Sequence, residues 1–141
     1  MPTTKFPVEV LTPDGEVFND EVVQISTRTA VGSIGILAKH QPMLAMLDPT
    51  ELRLYKSDSD VVRMVQGEGY LQVQDDGRVL ILVDEAGDPA DIDENEWQER
   101  LRRAEEEVSS AEEGSHAREV AERDRRRAEA FLKVLREGGT S

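Results

Sequence analysis

The residues able to do covalent or metal chemistry are few and scattered along this 141-residue chain. There is no cysteine, which removes disulfides, thiolate metal sites and thiol nucleophiles together. His40 and His116 are the two histidines, and no metal-ligand spacing surrounds either. Asp58-Ser59-Asp60 has the opening of a calcium loop, yet neither the glycine nor the bidentate glutamate follows where such a loop needs it. Gly32-Ser33-Ile34-Gly35 and Gly67-Glu68-Gly69 sit among strand-like residues with no helix start to hold a phosphate, so they read as tight turns or close packing. No nucleophile elbow appears, and carboxylate pairs carry no information among 30 acids. The cluster Asp84, Glu85, Asp88, Asp91 and Asp93 would attract cations, but an acidic linker entering a helix N-terminus, which favours negative charge, explains it more simply. An independent enzyme is not expected, and no cofactor or metal is implied.

The elements that carry these residues fall into two kinds. Over residues 6–83 short apolar runs alternate with charged residues. Phe6-Pro7-Val8-Glu9-Val10-Leu11 alternates, Pro13-Asp14-Gly15 turns the chain, and residues 16–27 offer a long strand or two through Val17, Val22, Val23 and Ile25. Strands follow at 52–55, 61–65, 70–73 and 79–83, at the intervals of a sandwich or barrel. Asp76-Gly77 predicts a type I′ hairpin before the last of them, with both residues at positive φ. Gly87-Asp88-Pro89-Ala90 marks a joint, giving an all-β unit over 1–87 and a helical hairpin over 88–141.

Asp93 and Glu96 have capping-box spacing, with Ile92 and Trp97 placed as a hydrophobic staple. Trp97, Leu101, Ala104, Val108 and Ala111 then repeat at helical spacing, with Glu96/Arg100 and Glu99/Arg103 four apart on the exposed side, and Gly114 should end the helix. Ser115 is positioned to cap a second helix with Ala117, Val120, Ala121, Ala128, Phe131, Leu132 and Leu135 inward. A seam rich in alanine buries little surface, so the hairpin is expected to grip itself weakly.

The net charge of −13 argues against nucleic-acid or anionic-lipid affinity and points to protein partners. No apolar run approaches the roughly 20 residues a membrane helix needs. No export signal is visible at the N-terminus, and a cytoplasmic location is expected. Residues 116–141 differ from the rest, with seven bases against five acids. Such a stripe is by default a solvated face held by pairs such as Glu119/Arg123 and Glu122/Arg126; the alternative is a docking surface for an acidic partner.

The segment Gly32-Ser33-Ile34-Gly35-Ile36-Leu37-Ala38-Lys39-His40-Gln41-Pro42-Met43-Leu44 resembles the signature loop of the epsilon subunit of bacterial F-type ATP synthase. Gly67 to Val73 and Val79 to Ala86 resemble that family's later strand pair, and Asp91-Ile92-Asp93 its helix entry, so the likeness covers nearly the whole chain. It implies a β-sandwich of about ten strands, then two antiparallel helices, forming a non-catalytic central-stalk subunit on the cytoplasmic face of the bacterial membrane, attached only through its complex. It also implies partners: the gamma subunit and the rotor c-ring for the sandwich, the alpha/beta catalytic head for an extended hairpin that restrains ATP hydrolysis.

By the same resemblance Ser33, His40, Pro42 and Met43 belong to the contact with gamma and the ring, within a loop spanning 32–43. The family often has an acid where this chain has Ser33 and a proline where it has Ala38. His40 matches the family's loop histidine; a buried structural histidine is the other reading. Arg118, Arg123, Arg126 and Arg127 take the role of inhibitory docking residues. Some relatives bind ATP between the helices through an I/L-D-x-x-R-A motif. Here Glu96 and Trp97 replace its arginine and alanine, so weak ATP binding or none is expected, with Arg100 or Arg103 as compensating cations in a shifted register. Two other readings fit the bulk features. One is an unrelated cytoplasmic adaptor, which the loop signature disfavours; the other is a small hydrolase using the carboxylates between Asp84 and Asp93.

Overall fold

A computed structural model of the chain describes residues 3–138. It has two compact units, Met1–Asp88 and Pro89–Ser141.

The first unit is built from ten strands. They are β1 (Phe6–Thr12), β2 (Gly15–Val22), β3 (Gln24–Thr29), β4 (Gly32–Leu37), β5 (Met43–Leu47), β6 (Thr50–Tyr55), β7 (Val61–Gln66), β8 (Gly69–Val73), β9 (Val79–Val83) and the two-residue β10 (Ala86–Gly87). Hydrogen bonding runs in the order β10-β7-β6-β3-β5-β8-β9-β1-β2, with β4 attached to β3 off that path. All pairings are antiparallel except β1 with β9, which set Val8 against Val79 and Leu11 against Leu82. The expected ten-stranded β-sandwich followed by a helical hairpin is therefore what the chain forms.

Period-two alternation decides the core. Phe6, Val8 and Val10 on β1, Ile25 on β3, Leu52 and Leu54 on β6, Leu71 on β8 and Ile81 on β9 all point inward and pack as one cluster. The buried polar pair is satisfied: Thr27 Oγ1 donates to Gln66 Oε1 (2.8 Å), and Gln66 Nε2 donates to the Asp48 carbonyl (2.9 Å). That ties β3, β7 and the β5–β6 turn together.

The region read as one long strand or two is two, β2 and β3, broken at Val23, whose N–H bonds the Tyr55 carbonyl. β4, β5 and β10 fall where no strand is legible from alternation alone. The β8–β9 turn is not type I′: Gly77 alone takes positive φ (88°), and its N–H bonds the Gln74 carbonyl at 3.0 Å. This is the three-residue hairpin form, in which only the last loop position must be left-handed. Asp76 helps close it by accepting the Arg78 N–H.

The second unit is a 3₁₀ turn at Pro89–Asp91 and two helices, α1 (Glu94–Ser110) and α2 (His116–Gly138). Asp93 caps α1 by accepting the Asn95 N–H, while the Glu96 carboxylate pairs with Arg100, so the capping box is replaced by a simple cap. α1 ends at Ser110, before Gly114. Ser109 and Ser110 donate their hydroxyls to the Glu105 and Glu107 carbonyls, a local alternative that weakens helix continuation. Gly114 (φ 79°) serves the connecting turn instead, and Ser115 caps α2 by accepting the Arg118 N–H. Trp97, Ala104 and Val108 are buried on α1, and Ala121, Ala128, Phe131, Leu132 and Val134 on α2. Ala117, expected inward, is exposed.

Candidate functional site

Three surfaces come from the residues upward. The first is the outer face of the sheet. Leu44 (68% exposed), Met46 (61%), Tyr70 (49%) and Leu82 (43%) are large apolar side chains open to solvent. Register places Met46 opposite Tyr70, and Tyr70 opposite Leu82, so an apolar row crosses β5, β8 and β9. At its end lies an open groove of about 400 Å³, whose lining includes Leu11, Pro13, Tyr70 and Leu82. These side chains were missed from sequence. The available signal was that 79–83 is apolar at both parities, so one face of that strand had to be either covered or open to a partner.

The second surface is the β4–β5 corner. The segment read as a loop over 32–43 is mostly strand: β4 takes 32–37 and only 38–42 form the turn. His40 N–H bonds the Leu37 carbonyl (3.3 Å), and Lys39 between them takes φ 64°, the sole non-glycine residue at positive φ among the described residues. His40 is half-buried, with Nδ1 2.8 Å from the Gln41 carbonyl oxygen. Pro42 is exposed, and Met43, half-buried, opens β5. His40 and Pro42 line a hollow of about 530 Å³ with Phe6, Pro7, Lys39 and Asp76 among its walls. Ser33 is not part of that corner. It pairs with Arg28 near the other end of β4, about 13 Å away at the rise of an extended strand.

The third surface belongs to the hairpin. Trp97 and Phe131 stack with centroids 4.6 Å apart, and the Arg100 guanidinium lies 4.3 Å over the Trp97 ring. The seam is therefore an aromatic contact flanked by alanines. Beside it a cleft of about 350 Å³ is lined by Trp97, Arg100, Arg103, Glu107, Asp124 and Arg127, so Arg100 and Arg103 do share one cavity. Two of the expected ion pairs on α2 do not form. Arg118 instead bonds Glu122 (3.1 Å) and Arg125 faces Glu129 (3.8 Å), leaving Arg123 and Arg126 with no ion pair among the described residues. On α1, Glu99 takes Arg102 in place of Arg103, and that contact lowers the Glu99 pKa. At about 100° per residue, Arg123, Arg126 and Arg127 share an arc of α2, while Arg118 lies well round the helix.

Among the described residues no group of three or more acids and histidines is placed to hold a metal, and no helix is long and apolar enough to cross a membrane. The three surfaces are candidate contact surfaces on a β-sandwich with a helical hairpin. The model for the family described as ATP synthase, Delta/Epsilon chain, beta-sandwich domain matches residues 5–89. The ATP synthase epsilon chain of Halalkalibacterium halodurans is 36% identical over 134 residues, covering 95% of this chain and 98% of that one. That of Dichelobacter nodosus is 38% identical over 108 residues, 77% of this chain and 75% of the relative. The chain belongs to the ATP synthase delta/epsilon family. Its fold also matches a chain of the Euglena gracilis mitochondrial ATP synthase OSCP/F1/c-ring structure (TM-score 0.80, 24% identity, 96% of this chain and 84% of that chain). A chain of the Tetrahymena thermophila mitochondrial ATP synthase central stalk/c-ring matches at TM-score 0.64 and 20% identity, over 96% of this chain and 99% of the other.

Proposed function

We propose that this chain is a non-catalytic central-stalk subunit of an F-type ATP synthase. The sandwich docks on the gamma subunit through the Met46–Tyr70–Leu82 row and meets the rotor ring with residues of the β3–β4–β5 region, including Ser33, His40, Pro42 and Met43. In the complex it couples rotation of the proton-driven ring to ATP synthesis in the head. It is held at the cytoplasmic face of the membrane by those contacts alone. The observation that carries the reading is the row itself: a chain with 33% charged residues leaves four large apolar side chains open on one sheet region. Such a patch on a soluble fold marks a protein interface. The hairpin is read as the regulatory unit, with Arg123, Arg126 and Arg127 meeting acidic surface of the alpha/beta head when it extends.

The test is co-elution with the gamma subunit from the same source on a sizing column. A stable one-to-one complex is expected, weakened about tenfold or more by Met46→Asp with Leu82→Asp, since a buried carboxylate without a partner costs well over 1 kcal/mol. No complex between two folded proteins would return the chain to the adaptor reading.

A further inference from the structure

The sheet ends in three edges, and they are guarded unequally. β2 carries Glu16, Asp20 and Glu21 along its length, and β10 has only two residues. Charged side chains and short strands are the usual protections against pairing with another chain. β4 has neither. Its sequence GSIGIL contains no charge and no proline, and its register pairs it with β3 alone. The other edge of β4 therefore presents a row of backbone N–H and C=O groups with no ladder partner among the described residues, and Ser33, Gly35 and Leu37 are exposed beside it. The surrounding sequence is equally unusual: residues 22–47 hold none of the chain's 30 acids and two of its bases, Arg28 and Lys39.

Resting on the reading that the chain docks in the rotor, we propose that the free edge of β4 is a strand-addition site, occupied by an extended, neutral-to-acidic segment of a neighbouring rotor subunit. Main-chain ladder bonds would supply affinity, and side chains alternating along the added strand would supply specificity. The local charge selects the occupant. Arg28 near one end of the edge and Lys39 beyond the other favour carboxylates flanking the incoming strand. A second copy of this chain is disfavoured, because residues 1–88 carry 15 acids against seven bases and two such units repel. An anionic membrane is disfavoured too, since lipid-binding patches gather about four to eight bases where this edge has two.

The experiment uses the full chain and the rotor of its source organism, gamma subunit with ring, stripped of this subunit. The outward-facing amides of the edge are those of Ser33, Gly35 and Leu37, which alternate with the β3-bonded amides of Ile34 and Ile36. They should exchange freely in the isolated chain and at least about tenfold more slowly in the complex, as ladder bonds form. The double variant Ser33→Glu/Gly35→Glu imitates the guarded β2 edge. A Cβ at position 35 comes no nearer than 3.9 Å to another residue, so the variant should melt like the parent. It should bind the rotor at least about tenfold more weakly, whereas Gly35→Ala, which adds a methyl group and no charge to the edge, binds as the parent does. A complex in which these amides stay open, or in which the glutamate pair binds undiminished, overturns the proposal and leaves the docking function standing. So does an isolated chain that elutes as a dimer with the edge already protected, or one whose edge is protected by protein-free anionic vesicles. A parent chain that binds no rotor at all overturns both readings.

Discussion

A side chain at position 69 has nowhere to go. A Cβ built on Gly69 would lie 1.9 Å from the Leu82 carbonyl oxygen and 2.7 Å from the Val83 Cα, both backbone atoms of the paired strand. Gly67 is in a similar position, but the nearest obstacle there is the Asp84 carboxylate, which can rotate away. Gly69→Ala is therefore expected to cost about 3 kcal/mol or more, the upper range for overpacking, and to lower the melting midpoint by some 12 °C or more, as calorimetry would record. At this scale the sequence was legible by type and less so by place. Glycine at 67 and 69 signalled tight turns or close packing, and the 32–43 segment stood out by its glycines and lack of acids. That Ser33 lies near the start of a strand and His40 in the turn beyond its end was not legible, because alternation is too weak in a run of Gly, Ser, Ile and Leu to separate a strand from a loop. Arg118 likewise looked equivalent to Arg123 until its contact with Glu122 was seen.

Between residues and fold, pairs of elements carry the energetics. On the β6–β7 ladder Arg53 sits opposite Arg63, a like-charge pair that would repel. Glu51 resolves it by accepting from both guanidiniums, with Arg63 Nε at 2.9 Å. Partial burial alone would raise the Glu51 pKa, but the hydrogen bonds from Arg53 and Arg63 outweigh it and hold the carboxyl below its ordinary 4.5. A depressed carboxylate stabilises the fold above its unfolded pKa and loses that contribution as pH falls through the folded one. Thermal midpoints should therefore drop as pH is lowered below about 4.5, and Glu51→Gln, less stable near neutrality, should show a shallower drop across that window. An equal slope in both proteins would dismiss the cluster.

The hairpin depends on a different pairing. Position 97 begins α1 and position 131 lies near the end of α2, so their ring contact holds the two helices together at the end away from the 111–115 turn. The apolar repeat made both residues legible as inward-facing, but not that they would meet, since contact across two helices depends on the length of the turn. Trp97→Ala should cost about 3 to 5 kcal/mol of hairpin stability, as for other buried aromatics, visible as faster protease cleavage within residues 89–138.

For the whole molecule, charge is divided by segment. Residues 1–115 carry 25 acids against ten bases, whereas 116–141 carry five against seven. A helix whose sign opposes the rest of its chain has two routes to neutralisation: its own acids or another protein's. Arg118 and Arg125 take the first through Glu122 and Glu129. Arg123 and Arg126, like Lys133 further along, have no ion pair among the described residues, so they are among the cations available for a second partner. If the hairpin restrains hydrolysis by meeting acidic surface of the catalytic head, Arg123→Glu with Arg126→Glu should weaken inhibition of a reconstituted head about tenfold, or roughly 1.4 kcal/mol. Arg118→Glu should weaken it less, because that guanidinium already has a carboxylate and faces another direction. Raising the salt concentration should reproduce the double variant's effect in the parent protein, since exposed pairs are screened over about 10 Å at moderate ionic strength. Equal loss from Arg118→Glu would mean that net charge, and not these two positions, sets the inhibition; no loss from either variant would remove electrostatics from the regulatory role.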